Sequence, residues 1–379
     1  MKTSVRDFED IRPYHDSEIN EVLRRIIESP SFAPIAAFVF PERSVEDTTT
    51  MVKDIKSSDE FQEKFMHRAV RRVVETSSDG LTYDGFDRLD KSKAYLFIAN
   101  HRDIVLDSAI LQALLVELDI PRTEISFGSN LMINPFIIDF GKVNKMYKVQ
   151  RGGTRIELLK NSIQLSAYLH HTINKTHHSA WIAQRNGRTK DGYDKTEEAL
   201  LKMLNLSGDK GFVENFSALN IVPLTISYEY EPCGTFKVNE FYQSQQGEYK
   251  KSPGEDFNSI LTGFTQPKGR IHLCAGKCMN EELRGFDENS STNENISRLT
   301  RMIDKQIYHD FKLWKTNHIA YDIIVKDSFS HLYSEKEKND FISFIEKEIM
   351  KLDGDKKVLK DMYLKMYANP VISYLQTEN

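Results

Sequence analysis

The sequence has few cysteines and no long hydrophobic run. Its 379 residues include 3 cysteines, which are too few for a disulfide framework and whose odd number fits a reducing compartment. Windows without a charged residue, such as 125–138 and 161–174, fall short of the roughly 18–20 apolar residues that a membrane-spanning helix requires. The first twenty residues also lack the apolar core of a secretory signal. We therefore expect a cytoplasmic protein without a transmembrane segment.

A surplus of basic residues is missing too. Lys and Arg together number 51, Asp and Glu 56, and the formal net charge is −5. Because proteins that bind nucleic acid in bulk usually carry a basic excess, we expect no nucleic-acid partner. An anionic ligand would have to be met by a local group of arginines. Hydrophobic residues make up 40% of the chain, so it can build a core, and intrinsic disorder is excluded as a class.

Several catalytic motifs do not occur. The chain has no G-x-S-x-G nucleophile elbow, no G-x-x-x-x-G-K-[ST] phosphate loop, no H-E-x-x-H pair and no G-x-G-x-x-G turn. The sequence therefore lacks the main evidence for a covalent hydrolase, a nucleoside triphosphatase or a dinucleotide-binding enzyme of the usual kind. We expect no metal site, because the groups of potential ligands are incomplete: His170, His171, His177 and His178, and then His272, Cys274 and Cys278.

Short apolar runs alternate with helical patterns through the middle of the chain. The strand-like runs are residues 95–99, 125–127, 148–150, 180–183, 221–228 and 270–275, and the clearest helical patterns are 104–118 and 154–174. This alternation predicts an α/β fold with a mixed, largely parallel sheet flanked by helices. We predict a helical N-terminal region at 1–82, an α/β domain at 83–280 and a helical C-terminal appendage at 281–379.

Two features of the N-terminal region leave alternatives open. Residues 32–40 form an apolar segment between Pro30 and Pro41, which fits either a wedge that dips into a membrane or ordinary core. Arg68, Arg71 and Arg72 lie at helical spacing within a predicted helix at 59–75. Such a group is typical of a solvated helix face, but it could also contact anionic lipid or an acidic carrier protein.

One histidine occupies a position at which α/β proteins often place a functional site. The apolar run 95–99 leads directly into Asn100, His101, Arg102 and Asp103, and a helical pattern follows. Ligands of open α/β sheets bind at the carboxyl ends of strands, where helix N-termini supply free amide donors. The alternative is a buried histidine beside an aspartate that only caps the helix.

This segment resembles the N-H-x(4)-D motif of the glycerolipid acyltransferases, which include glycerol-3-phosphate and lysophosphatidate acyltransferases. Five residues separate His101 from Asp107, where the family has four. Four later segments are similar to further blocks of that family, in the same order. They are the run 147–153 ending in Arg151, Gly152 and Gly153; the run 181–188 with Asn186, Gly187 and Arg188; the strand at 221–226 with Pro223; and the strand at 269–276.

The resemblance implies an acyltransferase. His101 would be the general base that takes a proton from the acceptor hydroxyl, and a nearby carboxylate would orient its ring. Arg151 and Arg188, with Gly152, Gly153 and Gly187 beside them, would bind the acceptor phosphate, and Arg102 and Asn186 are further acceptor-binding candidates. No cofactor is implied. The donor would be acyl-CoA or an acyl carrier protein, and the enzyme would bind peripherally to a phospholipid membrane surface.

Three questions remain open at this stage. Asn186 stands where the family has glutamate, so the acceptor could be a non-glycerol compound such as an amino-acid lipid. A non-catalytic protein that binds lipid or carrier is the second alternative. The third question is which aspartate serves His101. Asp103 is placed to cap the helix, whereas Asp107 lies in its first turn and would lean back toward the histidine, so we favour Asp107.

Overall fold

The computed structural model describes residues 8–208, 210–252, 254–287, 289–325 and 328–378. Their centre is one sheet of seven strands in the order β1-β7-β6-β2-β5-β3-β4. The strands are β1 (Leu81–Asp84), β2 (Leu96–Ala99), β3 (Thr123–Gly128), β4 (Met146–Val149), β5 (Ser179–Ala183), β6 (Ile221–Tyr228) and β7 (Ile271–Ala275). Neighbouring strands are parallel except for β6 and β7. The predicted α/β fold with a mixed, largely parallel sheet is confirmed, although the sequence analysis did not predict β1.

The central strand β2 is buried on both faces. Leu96 and Ile98 belong to the hydrophobic cluster on one side of the sheet, and Phe97 and Ala99 belong to the cluster on the other side. Such two-sided burial is usual for parallel strands, because helices cover both faces of the sheet. Ala99 pairs with Ala183 of β5 and with Leu224 of β6, so β2 ends in the middle of the sheet.

The described residues before β1 are helical. They form α1 (Asp16–Glu28), α2 (Phe32–Val39), α3 (Val45–Lys53), α4 (Ser58–Phe61), a π-helical turn (Gln62–Met66) and α5 (His67–Ser77). The helix predicted at 59–75 is therefore interrupted by the π-turn, which brings the ring of Phe65 to 5.3 Å from that of Phe61. These helices enclose a hydrophobic cluster that Val143, from a later helix, also joins.

The apolar segment at 32–40 forms α2 and packs one face into that cluster. Phe32, Ala36 and Val39 are buried, whereas Phe38 is 43% exposed. Val39 is thus unavailable to lipid, and Phe38 is the one large side chain of the segment that is exposed in this way. The core interpretation accounts for the buried face of α2, and the other face of the helix is exposed.

The described residues between β2 and the C-terminal region form eight helices. They are α6 (Leu106–Glu117), α7 (Pro135–Val143), α8 (Arg155–Asn174), α9 (Glu198–Leu204), α10 (Phe212–Ser217), α11 (Gly234–Gln246), α12 (Glu255–Thr265) and α13 (Asn280–Leu283). Short 3₁₀ turns occur at Phe86–Arg88, Ser129–Leu131 and Ser330–Leu332. Among the described helices, none combines the length and the apolar character needed to cross a membrane.

Four helices complete the described chain: α14 (Thr292–Asp310), α15 (Lys315–Ile324), α16 (Glu335–Ile349) and α17 (Lys356–Leu375). Leu299, Ile303 and Ile307 of α14 join the cluster on one face of the sheet. The last three helices share a separate core that includes Phe341 and Tyr363. The exact limits of the predicted domains stay a prediction.

Helix α17 lies directly against the loop that follows β5. Gly192 in that loop has φ of +78°, and a Cβ atom built on it would lie 2.0 Å from the carbonyl oxygen of Met366. Glycine is therefore required at position 192 for two reasons, the left-handed backbone and the close approach of α17.

We expect Gly192→Ala to destabilise the protein more than a glycine substitution at matched backbone geometry. Gly254 has φ of +82° and open space around its Cβ position, so Gly254→Ala carries only the strain of the left-handed conformation, about 1 kcal/mol. The clash with α17 should add roughly 1–3 kcal/mol at Gly192. Urea unfolding of both variants measures the difference, and equal losses would show that α17 does not pack against this loop.

Candidate active site

The site begins where β2 leaves the sheet. The side chain of Asn100 is fully buried and pairs with the backbone of β6: its Oδ1 accepts from the Ile226 amide at 2.8 Å and its Nδ2 donates to the Ile226 carbonyl at 3.0 Å. Nδ2 also donates to Asp194 Oδ2 at 3.0 Å. The side chain of Asn100 thus makes the two hydrogen bonds to Ile226 that the backbone of a neighbouring strand would otherwise make. The main chain can therefore leave the sheet at this point, and His101 lies at the sheet edge.

Four hydrogen-bond donors converge on the buried carboxylate of Asp107. Its Oδ2 lies 3.0 Å from His101 Nδ1 and accepts from the backbone amides of Arg102 at 2.6 Å and Asp103 at 2.8 Å. Its Oδ1 accepts from the Tyr228 hydroxyl at 2.9 Å. Asp107 lies in the first turn of α6, and helical side chains lean toward the N-terminus, so the carboxylate points back at the His101 loop.

This geometry sets the tautomer of His101. An ionised carboxylate only accepts, so Nδ1 carries the hydrogen and Nε2 carries the lone pair. The side chain of His101 is 14% exposed, whereas that of Asp107 is 2% exposed. The ring meets Trp181 edge to face, with 6.0 Å between the ring centres. A histidine with an oriented ring and a free basic nitrogen at a partly open edge is equipped to take up a proton from a substrate.

Asp103 has the capping role that the sequence suggested. Its Oδ1 accepts from the backbone amides of Val105 at 3.0 Å and Leu106 at 2.9 Å, where α6 begins. Its Oδ2 is buried and has no hydrogen-bond partner among the described residues. Burial first, and then the charge of Asp107, raise the pKa of Asp103. The structure therefore separates the two aspartates, with Asp107 at the histidine and Asp103 at the helix end.

The loop after β5 lies beside the histidine. The amide of Thr189 donates to the carbonyl oxygen of His101 at 2.9 Å. This bond brings the three preceding residues, Asn186, Gly187 and Arg188, to the same edge of the sheet. Arg188 is 8% exposed; its Nη2 lies 3.4 Å from Ser259 Oγ, and its Nη1 is buried with no hydrogen-bond partner among the described residues. Arg188 thus keeps unused donor capacity, in the loop whose Thr189 amide contacts the His101 carbonyl.

Arg151 and Asn186 contact each other at the surface. Arg151 Nη1 donates to Asn186 Oδ1, and the backbone amide of Arg151 donates to Ser129 Oγ at 2.9 Å. The residue that departs from the family pattern, Asn186, therefore holds one of the two candidate phosphate ligands. These contacts bring the loops after β3, β4 and β5 to one edge of the sheet.

The three candidate glycines have left-handed backbones. The φ angles are +74° at Gly152, +116° at Gly153 and +79° at Gly187. A Cβ at Gly152 or Gly187 would meet no atom within 4 Å, so the space in front of both is open. Glycine is needed for the backbone conformation here, and the open space leaves room for a ligand.

The prediction that Arg102 binds the acceptor has to be corrected. Its side chain is 2% exposed and its guanidinium donates to Asp194 Oδ2 at 2.5 Å, to Glu231 Oε2 at 3.0 Å and to the Gly192 carbonyl at 3.2 Å. The guanidinium also lies 4.9 Å from the ring centre of Phe311. With its donors engaged inside the protein, Arg102 has no face left for a substrate.

The charges around Arg102 balance one another. Burial lowers the pKa of Arg102, but the charges of Asp194 and Glu231 outweigh that effect and raise it above its usual value. Lys237, which is fully buried, donates to Glu231 Oε1 at 2.5 Å. The network therefore joins the His101 loop to the loops after β5 and β6 in the protein interior.

Sequence reasoning missed three residues that shape the site: Tyr228, Asp194 and Glu231. Tyr228 is the last residue of β6, where the sequence showed only an apolar strand. Burial, followed by the charge of Asp107, raises the pKa of its hydroxyl well above the usual value, so the phenol keeps its proton and donates it. Its place at the end of a predicted parallel strand was a usable signal, because strand ends meet at one sheet edge. Asp194 and Glu231 gave no comparable signal.

No family model matches this sequence, and no curated protein matches it either. One solved structure with a similar arrangement is the 1-acyl-sn-glycerophosphate (LPA) acyltransferase PlsC from Thermotoga maritima. The two share 14% sequence identity and a TM-score of 0.38, over 76% of this chain and 95% of that one. A similarity of this size carries no weight for function, which has to be inferred from the residues of the site.

No group of three or more His, Cys, Asp or Glu side chains suited to a metal ion occurs in the part of the chain that the structure describes.

We expect Arg102→Met to unfold at markedly lower urea concentration than the wild type. Removing one partner of a buried ion pair leaves the other charge uncompensated, which costs about 3–5 kcal/mol. Arg151→Met, at an exposed arginine of the same site, should change stability by less than about 0.5 kcal/mol. A stable Arg102→Met variant would contradict the structural role of this arginine.

Proposed function

We propose that this protein is an acyltransferase that moves a fatty acyl group from an acyl thioester to a hydroxyl of a glycerol phosphate or lysophospholipid, at a phospholipid surface. The observation that carries the proposal is the geometry at the end of β2. His101 Nδ1 lies 3.0 Å from the buried Asp107, and its Nε2 is left free at the partly open edge of the sheet. The donor would be acyl-CoA or an acyl carrier protein.

The proposed reaction needs one base and no covalent enzyme intermediate. His101 Nε2 takes the proton of the acceptor hydroxyl while that oxygen attacks the thioester carbonyl. Asp107 stabilises the imidazolium that forms. When the tetrahedral intermediate collapses, the carbon–sulfur bond breaks and the imidazolium returns its proton to the thiolate. The products are an ester and a free thiol, and the histidine is ready for another cycle.

Two arginines support a phosphate-bearing acceptor. Guanidinium groups bind phosphate through paired hydrogen bonds, and Arg188, in the loop that contacts the His101 carbonyl through Thr189, has an unused Nη1. Arg151 lies at the rim, next to the open backbone of Gly152. Asn186 would act on the acceptor through Arg151, which it holds in place.

The alternative of a non-catalytic binding protein has less support. Such a protein has no need to orient a histidine with a carboxylate that takes four donors, yet His101 and Asp107 keep that arrangement. A non-glycerol acceptor remains compatible with the same chemistry. It is distinguished by offering acceptors with and without phosphate in one assay.

We expect Asp107→Asn to lower kcat by on the order of 10²–10⁴-fold with little change in stability. The amide can still accept from the two backbone amides through its oxygen, but it has no charge with which to stabilise the imidazolium. Asp103→Asn is the matched control, since it preserves the capping oxygen and should retain most activity. Release of free thiol from acyl donors measures both variants, and the reverse ranking would show that Asp103 serves His101.

We expect Arg188→Met to weaken the use of the acceptor substrate far more than the use of the acyl donor. Losing a charged hydrogen bond costs about 1.5–3 kcal/mol, which corresponds to roughly 10–150-fold in kcat/KM for the acceptor. The donor KM should change little. Arg284→Met, at an exposed arginine after α13, provides a control for the loss of one positive charge. Equal effects of Arg188→Met on both substrates would rule out this assignment.

A further inference from the structure

The first half of α8 is exposed on all sides. Every residue from 151 to 160 is exposed, and burial resumes at Leu165 in the second half of this 20-residue helix. Four large apolar side chains on this half are accessible: Leu158 at 41%, Ile156 at 69%, Leu159 at 54% and Ile163 at 41%. Leu158 lies on a different face, whereas the last three are spaced by three and four residues on one face of the helix and form a continuous apolar stripe.

Positive charges border this stripe on both sides. At 100° per residue, Lys160 falls next to Ile156 on one side, and Arg155 falls next to Leu159 on the other. The one carboxylate on this half of the helix is Glu157, which is occupied by the helix cap: its Oε2 accepts from the amide of Thr154 at 2.7 Å and from its hydroxyl at 2.8 Å. The exposed face therefore combines apolar side chains with two cations.

We propose that this face of α8 docks on the surface of an anionic phospholipid bilayer, with the apolar stripe at the acyl boundary and Arg155 and Lys160 at the headgroups. An apolar stripe bordered by basic residues is the pattern of helices that lie in the membrane interface. Long basic side chains can extend from the stripe to the lipid phosphates while their methylene groups cover apolar surface. Anionic lipid matches both the charge and the apolar character of the face.

A second copy of the chain fits the same face less well. A twofold contact brings one patch against itself, so Arg155 and Lys160 would meet the same two cations of the other copy. Glu157 could offer little compensation, because its carboxylate is held within its own helix cap. Self-association through this face is accordingly an outcome to be tested and is not the expected one.

The docking face directly follows candidate active-site residues in the sequence. Helix α8 starts at Arg155, directly after Gly152, Gly153 and the cap residue Thr154. The guanidinium of Arg151 contacts Asn186, close to the His101 loop. If the proposed function holds, docking by α8 would present a membrane-borne acceptor at the edge where His101 lies. The docking itself does not depend on that function.

Co-sedimentation of the full-length protein with vesicles tests the proposal. The vesicles would be phosphatidylcholine alone or mixed with phosphatidylglycerol. We expect the wild type to bind the mixed vesicles and to be partly released by salt. The double variant Ile156→Ser with Leu159→Ser should bind at least 10-fold more weakly. Arg155→Gln with Lys160→Gln should lose the preference for anionic vesicles.

Controls separate this surface from others. Phe38→Ser removes a comparably exposed aromatic residue from α2 and should bind as the wild type does. His101→Ala should also bind normally, so a failure of the proposed chemistry would leave the docking result intact. The proposal is overturned if the wild type ignores anionic vesicles or if the Ile156 and Leu159 variant binds equally well. Sedimentation velocity without vesicles tests for a second copy of the chain. If the wild type is a dimer and the Ile156 and Leu159 double variant is a monomer, the face belongs to a contact between copies.

Discussion

The buried carboxylate of Asp107 is the contact on which the candidate site depends. A carboxylate taken out of water must have its oxygens satisfied, and here the imidazole, two backbone amides and a tyrosine hydroxyl supply the donors. Those donors come from the His101 loop and from the end of β6. One side chain therefore fixes the turn after β2, joins it to the neighbouring strand and holds the histidine ring with one nitrogen free.

The buried side chain of Arg102 stabilises the same loop from within the protein interior. Its guanidinium joins the loops after β5 and β6, and Phe311 at the end of α14 lies against it. Helix α17 closes over the loop that contains Gly192, whose carbonyl oxygen accepts from Arg102. The C-terminal helices thus pack against Arg102 and against the loop that contains Gly192, both of which belong to the charge network beside the site.

The sequence predicted the sheet and the place of the histidine because both follow from local pattern. Apolar runs identify buried strands, and a polar segment after a strand marks the edge where sites lie. Asp107 could be preferred over Asp103 because Asp103 was placed to cap the helix and because helical side chains lean toward the N-terminus. The fate of Arg102 could not be predicted in this way, since its partners Asp194 and Glu231 are 92 and 129 residues away. The exposed stripe of α8 was hidden for a related reason: an apolar face shows in the sequence, but what covers it is decided by tertiary packing.

The tautomer of His101 is the most direct test of the account. Nitrogen NMR of the labelled protein at neutral pH distinguishes a ring protonated at Nδ1 from one protonated at Nε2, and the signal among the 11 histidines can be assigned by its absence in His101→Gln. If Asp107 orients the ring, His101 should be protonated at Nδ1 with Nε2 unprotonated. A ring protonated at Nε2 would contradict the account, because the nitrogen that is not bonded to Asp107 would then have no lone pair with which to accept a proton.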